Sequence, residues 1–348
     1  MITEPVGGKT ESGLSKLPIA PLLTSFIVIF GISVALFERF GDFGLLLGIF
    51  REAEPWWLVA AVAFQVLTYV SAGEVWNVAM RAAGRPLRKG ILARLAIERM
   101  TIDQFMPSAG IAGHLGTLQA LRHFGVTFSV AMEAIFVDLI SHFVAYVAAA
   151  IAAFVLLSMQ HEITPVVMLT LGAFAVIASV MLTTTVLFLR NRDLVRIIPS
   201  WISKRKRIAR LLAIVSQIST ERILDRNVSV KSVFFQSCIF ILDGVTLWAS
   251  LRAVGEYADP AVCFASLVIA LVAGTVLFIP GGVGVFEVGS VTTLVGLGVS
   301  FEGALAGTLL FRGLSLWIPL IPGVFLAHQD LGVGFSRKKK PDVSCPIE

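Results

Sequence analysis

The chain has 348 residues, 56% of them hydrophobic and only 15% charged, with a net charge of +5 and a mean hydropathy of +0.86. Soluble domains carry about 25% charge, so the composition argues against an ordinary soluble enzyme or nucleic-acid-binding module and describes an all-α polytopic membrane protein. Cys238, Cys263 and Cys345 form no CxxC pair and have no nearby His, so no disulfide framework and no metal site is expected.

In chain order, residues 1–18 form a polar N-terminal tail with no cleavage signal after it. The first apolar stretch, about 19–37, is therefore expected to be an uncleaved anchor. A second span is expected at 57–79, since a bilayer core takes about 20 helical residues. Region 91–122 is different. It holds an apolar segment, the break Phe105-Met106-Pro107-Ser108-Ala109-Gly110, and a second apolar segment, and it reads as a re-entrant helical hairpin. Spans at 129–157 and 164–189 follow, then a basic loop over 190–230, then a span at 232–251. Region 261–299 is again interrupted, at Phe278-Ile279-Pro280-Gly281-Gly282-Val283, and reads as a second hairpin or as two short full spans. A last span at 301–327 leads to a basic tail, 330–348.

The two breaks lie in step: 280 − 107 = 173, and at that offset Phe105 meets Phe278, Gly116 meets Gly289, Thr117 meets Ser290 and Leu121 meets Leu294. Small-residue helix packing alone produces Gly matches, but here aromatic, proline and hydroxyl positions agree as well. The sequence thus divides into units 19–157 and 164–329, each with three spans and one hairpin. Arg81, Arg85, Arg88, Lys89 and Arg94 follow the second span, the 190–230 loop carries Lys204, Arg205, Lys206, Arg207 and Arg210, and the tail carries Lys338 to Lys340. The opposite loops are neutral or acidic. The positive-inside rule then puts both termini in the cytoplasm, the hairpins enter from opposite sides, and the units form an inverted repeat. The interleaved basic and apolar residues of the loop fit a segment lying on anionic lipid.

Paired Gly/Pro breaks in two halves of a membrane protein point to a binding site, and ionisable residues inside spans are functional candidates. Pro107 and His114 in the first unit correspond to Pro280 and Glu287 in the second, each ionisable group seven residues after its proline. Each such group either contacts a ligand or braces the local turn. Gly281, Gly282 and Gly284 would let a headgroup approach the backbone, and the half-helix N-termini favour an anion such as phosphate. Arg312, deep in the last span, either meets that phosphate or pairs with Asp243. Arg99, in the first hairpin, is a further substrate-binding candidate, and its i,i+4 spacing to Asp103 predicts that the two pair. Asp138 and His142, also four apart, are proton-relay candidates together with Asp243, or form an interhelical hydrogen bond.

The run Phe278-Ile279-Pro280-Gly281-Gly282-Val283-Gly284-Val285-Phe286-Glu287 resembles the signature of the lysylphosphatidylglycerol synthase transmembrane-region family, and the span layout and basic central loop are similar over about 15–330. The resemblance implies an inner-membrane protein that moves lipid between leaflets, with Pro280, the following glycines and Glu287 in the conserved turn. Aminoacyl-transferring members carry a large soluble domain after the membrane part, whereas this chain ends about 20 residues past its last span, so lipid aminoacylation is not expected of it. The expected function is a bacterial inner-membrane flippase for an anionic or amphiphilic lipid, without cofactor, with a lipid-synthesising enzyme as a candidate partner and no nucleic-acid partner. Enzymatic turnover of a lipid-linked substrate, of the polyprenyl-phosphate glycosyltransferase type, is the alternative, and a non-transporting scaffold for lipid-modifying enzymes a third reading.

Overall fold

The computed structural model describes residues 51–105, 111–159, 165–190, 220–277 and 280–319, together with 322–323 and 326. All regular structure within them is helical: α1 (Pro55–Ala82), α2 (Lys89–Phe105), α3 (Ile111–His123), α4 (Phe128–Met159), α5 (Pro165–Arg190), the short α6 (Thr220–Ile223), α7 (Arg226–Ala253), α8 (Pro260–Val276), a 3₁₀ turn at Pro280–Gly282, α9 (Val285–Gly296), α10 (Phe301–Arg312) and a π-helical turn at Gly313–Trp317. The expected first span, Pro107, most of the basic loop and both tails lie outside the described residues.

Local chemistry explains where the helices begin. Pro55 and Pro260 stand in the first turn of α1 and α8, where a missing N–H removes no helical bond and the fixed φ is already helical. The Asp225 carboxylate accepts from the Asn227 and Val228 N–H groups at the start of α7. Asp259 does the same for Ala261 in α8, and the Ser300 hydroxyl accepts from Gly303 N–H in α10. Each satisfies donors that the first helical turn leaves orphaned.

Four helices among the described residues are long and apolar enough to cross a membrane: Pro55–Ala82, Phe128–Met159, Val167–Thr185 and Arg226–Ala253. At 28 residues, α1 and α7 are each about 42 Å long. Their outer faces carry exposed Val59, Val62, Val66, Val70, Val230, Phe234 and Ile241, continued on α4 and α5 by Ile151, Phe154, Leu169 and Val176. An apolar band of that extent would be unstable in water and suits acyl chains.

The helix boundaries recur along the chain. The starts of α7, α8, α9 and α10 follow those of α1, α2, α3 and α4 by 226 − 55 = 171, 260 − 89 = 171, 285 − 111 = 174 and 301 − 128 = 173 residues. The lengths of the first two pairs are equal, 28 with 28 and 17 with 17. Left-handed glycines end the corresponding helices: Gly84 with Gly255, and Gly125 with Gly298. The close crossings recur too. A Cβ on Gly73 would lie 3.5 Å from the Leu92 backbone between α1 and α2, and one on Gly244 would lie 3.3 Å from Phe264 Cα between α7 and α8.

Contacts fix the directions. Between α2 and α3, Asp103 meets Gly113 and Ile102 meets Gly116. Between α8 and α9, Ser266 meets Ser290 and Ala270 meets Gly289. Rising numbers on one helix meet falling numbers on the other, so both broken regions are antiparallel helix pairs. The corresponding long helices α1 and α7 also run antiparallel, from Glu54 N–H bonded to Ala253 O at one end through Thr68 beside Asp243 at the middle.

The expected last span changes character part-way. It is α-helical to Arg312 and π-helical over Gly313–Trp317, a form that is rare and concentrated at functional sites.

Candidate functional site

Two clusters of charged side chains lie beside the two breaks. In the second half, the chain turns through Gly281 (φ 59), Gly282 (φ 63) and Gly284 (φ 84), left-handed conformations that cost an L-residue roughly 1–2 kcal/mol each. This turn sends Glu287 back onto its own helix start, where its Oε2 accepts the Gly284 N–H at 2.6 Å. The other oxygen, Oε1, accepts from Arg312 Nε at 2.8 Å, and Arg312 Nη2 donates to Gly281 O at 2.7 Å. The guanidinium also lies 4.9 Å from the centre of the Phe286 ring, and Arg312 is 7% exposed. One cation from α10 thus clips the glycine turn to α9. Behind it, hydroxyls of Ser266, Ser290 and Thr308 bond in series at 3.1 Å each across α8, α9 and α10, so the supporting helices are tied together by satisfied buried donors.

In the first half the hub is a carboxylate. Asp138 on α4 is 1% exposed and accepts from Arg99 Nη1 at 2.7 Å and from Gln236 Nε2 of α7 at 2.9 Å. His114 Nε2 lies 3.2 Å from the same carboxylate. Arg99 Nε is 3.6 Å from Asp103, and Asp103 Oδ1 accepts the Gly113 N–H at 2.9 Å. Four helices, α2, α3, α4 and α7, therefore meet at one buried charge group.

The two clusters occupy corresponding places with acid and base exchanged. His114 and Glu287 are 287 − 114 = 173 residues apart, on α3 and α9. Asp138 and Arg312 are 312 − 138 = 174 apart, on α4 and α10. In the first half the base stands on α3 and the acid on α4; in the second half the acid is on α9 and the base on α10.

Several expected pairings differ from those observed. Arg312 does not pair with Asp243 but with Glu287; Asp243 instead accepts from Thr68 Oγ1 at 3.1 Å. Asp138 is joined by His114 and Arg99 rather than by His142, whose ring sits among Phe143, Tyr146 and Phe240 at centroid distances of 5.6–5.8 Å. The Arg99–Asp103 neighbourhood expected from i,i+4 spacing is present at the 3.6 Å distance above. The N-terminus of α9, expected to be open to an anion, has Glu287 folded back over it. Pro107 lies outside the described residues, and Pro280 opens the 3₁₀ turn. Residues not singled out in the sequence also take part: Gln236 in the Asp138 hub, and Gln65 and Thr68 beside Asp243. Their signal was legible, since Gln65 and Gln236 are polar groups inside apolar stretches and are 236 − 65 = 171 apart, the offset at which α7 follows α1.

Residues 22–323 match the model of the lysylphosphatidylglycerol synthase transmembrane region, which covers both clusters and every described helix. The chain belongs to that family. A stretch of 92 residues is 32% identical to the phosphatidylglycerol lysyltransferase of Bacillus subtilis (strain 168), covering 26% of this chain and 11% of that longer protein. This family member is therefore a multi-pass membrane protein of a lipid-related family, and the mirrored ion clusters lie within the part that the family model describes.

Proposed function

We propose that this chain is a bacterial inner-membrane lipid transporter that moves an anionic or amphiphilic lipid between leaflets, and that it is not itself an enzyme. The observation that carries the reading is the pair of acid–base clusters at corresponding places beside two chain breaks, with acid and base exchanged between the corresponding helices. Ions held inside a membrane are costly and mark pathways, and breaks at corresponding places in two halves characterise transporters. In this reading the antiparallel helix pairs α2–α3 and α8–α9 are re-entrant hairpins of an inverted repeat. They enter from opposite sides, with both termini in the cytoplasm.

The chemistry is an exchange of ion partners. A lipid phosphate that replaces the Glu287 carboxylate on Arg312 keeps the number of charge-assisted bonds on the guanidinium unchanged, while Glu287 keeps its Gly284 N–H. In the other half, Arg99 and His114 offer the same exchange against Asp138. A headgroup crossing the membrane is thus never left without a counter-charge, which lowers the desolvation barrier that otherwise blocks it. Acyl chains remain on the apolar outer face of the helices.

The test is leaflet exchange of fluorescent lipids with several headgroups in proteoliposomes, comparing wild type with Arg312→Ala. The reading expects exchange that is selective for headgroup and at least tenfold slower in the variant. Folded wild-type protein that exchanges no lipid of any class would end it, and turnover of a lipid-linked sugar by the same preparation would favour the enzymatic alternative.

A further inference from the structure

A third polar group, separate from both ion clusters, lies where the two halves cross. Residue 68.5 is the midpoint of α1 and residue 239.5 that of α7. Thr68 stands at the first and Asp243 a helical turn past the second. Thr68 Oγ1 donates to Asp243 Oδ1 at 3.1 Å and also lies 3.2 Å from Phe64 O. The Gln65 side chain lies close beside both the Asp243 carboxylate and the Tyr69 hydroxyl but closes a well-formed hydrogen bond to neither, and both of its amide atoms are shut off from solvent. Gln65 is 4% exposed and Thr68 fully buried. The Tyr69 hydroxyl reaches across to Ser315 O at 3.2 Å, inside the π-helical turn.

Two features of this group are unexplained by packing. Asp243 is a carboxylate near the centre of a membrane span, and among the described residues no Arg, Lys or His forms an ion pair with it. Elsewhere in this protein the buried acids Glu98, Glu133 and Asp138 are each matched to a cation. In addition, a buried amide whose ends close no well-formed hydrogen bond is unfavourable unless something completes its contacts. A cation answers both demands at once: it neutralises Asp243 and takes the Gln65 carbonyl oxygen as a ligand. The other atoms at hand are hydroxyl and carbonyl oxygens, the hard donors that suit an alkali ion. Asp243 itself keeps part of its surface accessible.

We propose that Asp243, Thr68 and Gln65 form a binding site for a monovalent alkali cation of sodium's class at the crossing of α1 and α7. The site lies on the helices that relate the two halves, so occupancy would bias how they sit against each other. Its existence does not depend on lipid movement.

The experiment is equilibrium binding of ²²Na⁺ to the purified full-length chain in detergent at constant ionic strength, with choline chloride as the balancing salt and folding monitored by tryptophan fluorescence. Wild type is expected to bind about one ion per chain saturably. Asp243→Asn keeps the Thr68 contact and is expected to abolish binding. Gln65→Leu keeps the carboxylate and is expected to weaken half-saturation at least tenfold, which covers the case in which the Asp243 variant does not fold. Absence of saturable binding by folded wild type would overturn the proposal, as would binding that survives unchanged in Gln65→Leu or in a folded Asp243→Asn protein.

Discussion

Replacing Asp138 by alanine removes the acceptor for Arg99, His114 and Gln236 in one step. Asp138 is 1% exposed and the Arg99 side chain 17%, so water does little to replace the lost partner. Breaking a buried ion pair from one side costs about 3–5 kcal/mol, because the remaining charge stays uncompensated. The orphaned Gln236 amide adds about 1 kcal/mol. Asp103 works against this total, since its carboxylate is already 3.6 Å from Arg99 and can close on it. The expected net loss is about 3–4 kcal/mol. Removing Arg99 as well relieves the uncompensated charge, so Asp138→Ala/Arg99→Leu is expected to lose about 2 kcal/mol less than the sum of the single variants. Reversible unfolding by titrated SDS in mixed micelles, followed by tryptophan fluorescence, measures all three. A loss below about 1 kcal/mol for Asp138→Ala, or additivity within about 0.5 kcal/mol, would refute the hub.

Both Glu287 carboxylate oxygens accept, one from Arg312 and one from the Gly284 N–H. Glu287→Gln offers one acceptor oxygen and turns the other position into an NH2 donor facing a donor, so the same unfolding assay is expected to show a loss of about 2–3 kcal/mol from the lost charge-assisted bond and the unsatisfied donor. For Gly282→Ala the added Cβ meets Phe286 Cβ at an ordinary 3.6 Å, so the expected loss of roughly 1–2 kcal/mol comes from the left-handed backbone alone; a neutral result would contradict the observed turn. The Arg222 side chain is 45% exposed but its partner Glu133 only 5%, so Arg222→Ala leaves a carboxylate that water barely reaches and is expected to cost about 1–3 kcal/mol, less than the loss of Asp138. For orientation, single cysteines at Arg85 and Tyr257 in a cysteine-free background are expected to react with an impermeant maleimide from opposite membrane faces, Tyr257→Cys in intact cells and Arg85→Cys only after permeabilisation. Labelling of both from one side would contradict the inverted arrangement.

Most of the helix layout was legible in the sequence, because bilayer thickness and hydropathy dictate it. Expected spans at 57–79 and 129–157 became Pro55–Ala82 and Phe128–Met159, and the two interrupted regions each became a pair of helices on either side of the Pro/Gly positions. The 173-residue register, read from matched Phe, Gly and hydroxyl positions, reappears to within two residues in helix starts and terminal glycines. The partners of the charges were less legible. Four-residue spacing shows that Asp138 and His142 share a helix face, but Asp138 is turned toward α2 and α3, where Arg99 and His114 reach it. Likewise Arg312 and Asp243 both lie deep in apolar helices, yet the left-handed turn at Gly281–Gly284 is what brings Glu287 to Arg312. Partner choice between helices depends on packing angle and loop geometry, which periodicity does not encode. The π-helical turn after Arg312 carries no strong local signal either, since Gly313-Leu314-Ser315-Leu316-Trp317 is compatible with an ordinary helix.

The central claim is that a lipid headgroup passes both ion clusters, and side-by-side leaflet exchange in proteoliposomes for wild type, Asp138→Asn and Glu287→Gln tests it most directly. The account predicts exchange in wild type and at least a tenfold loss in each variant, because each cluster serves one half of the path. Exchange at the wild-type rate in both folded variants would contradict it.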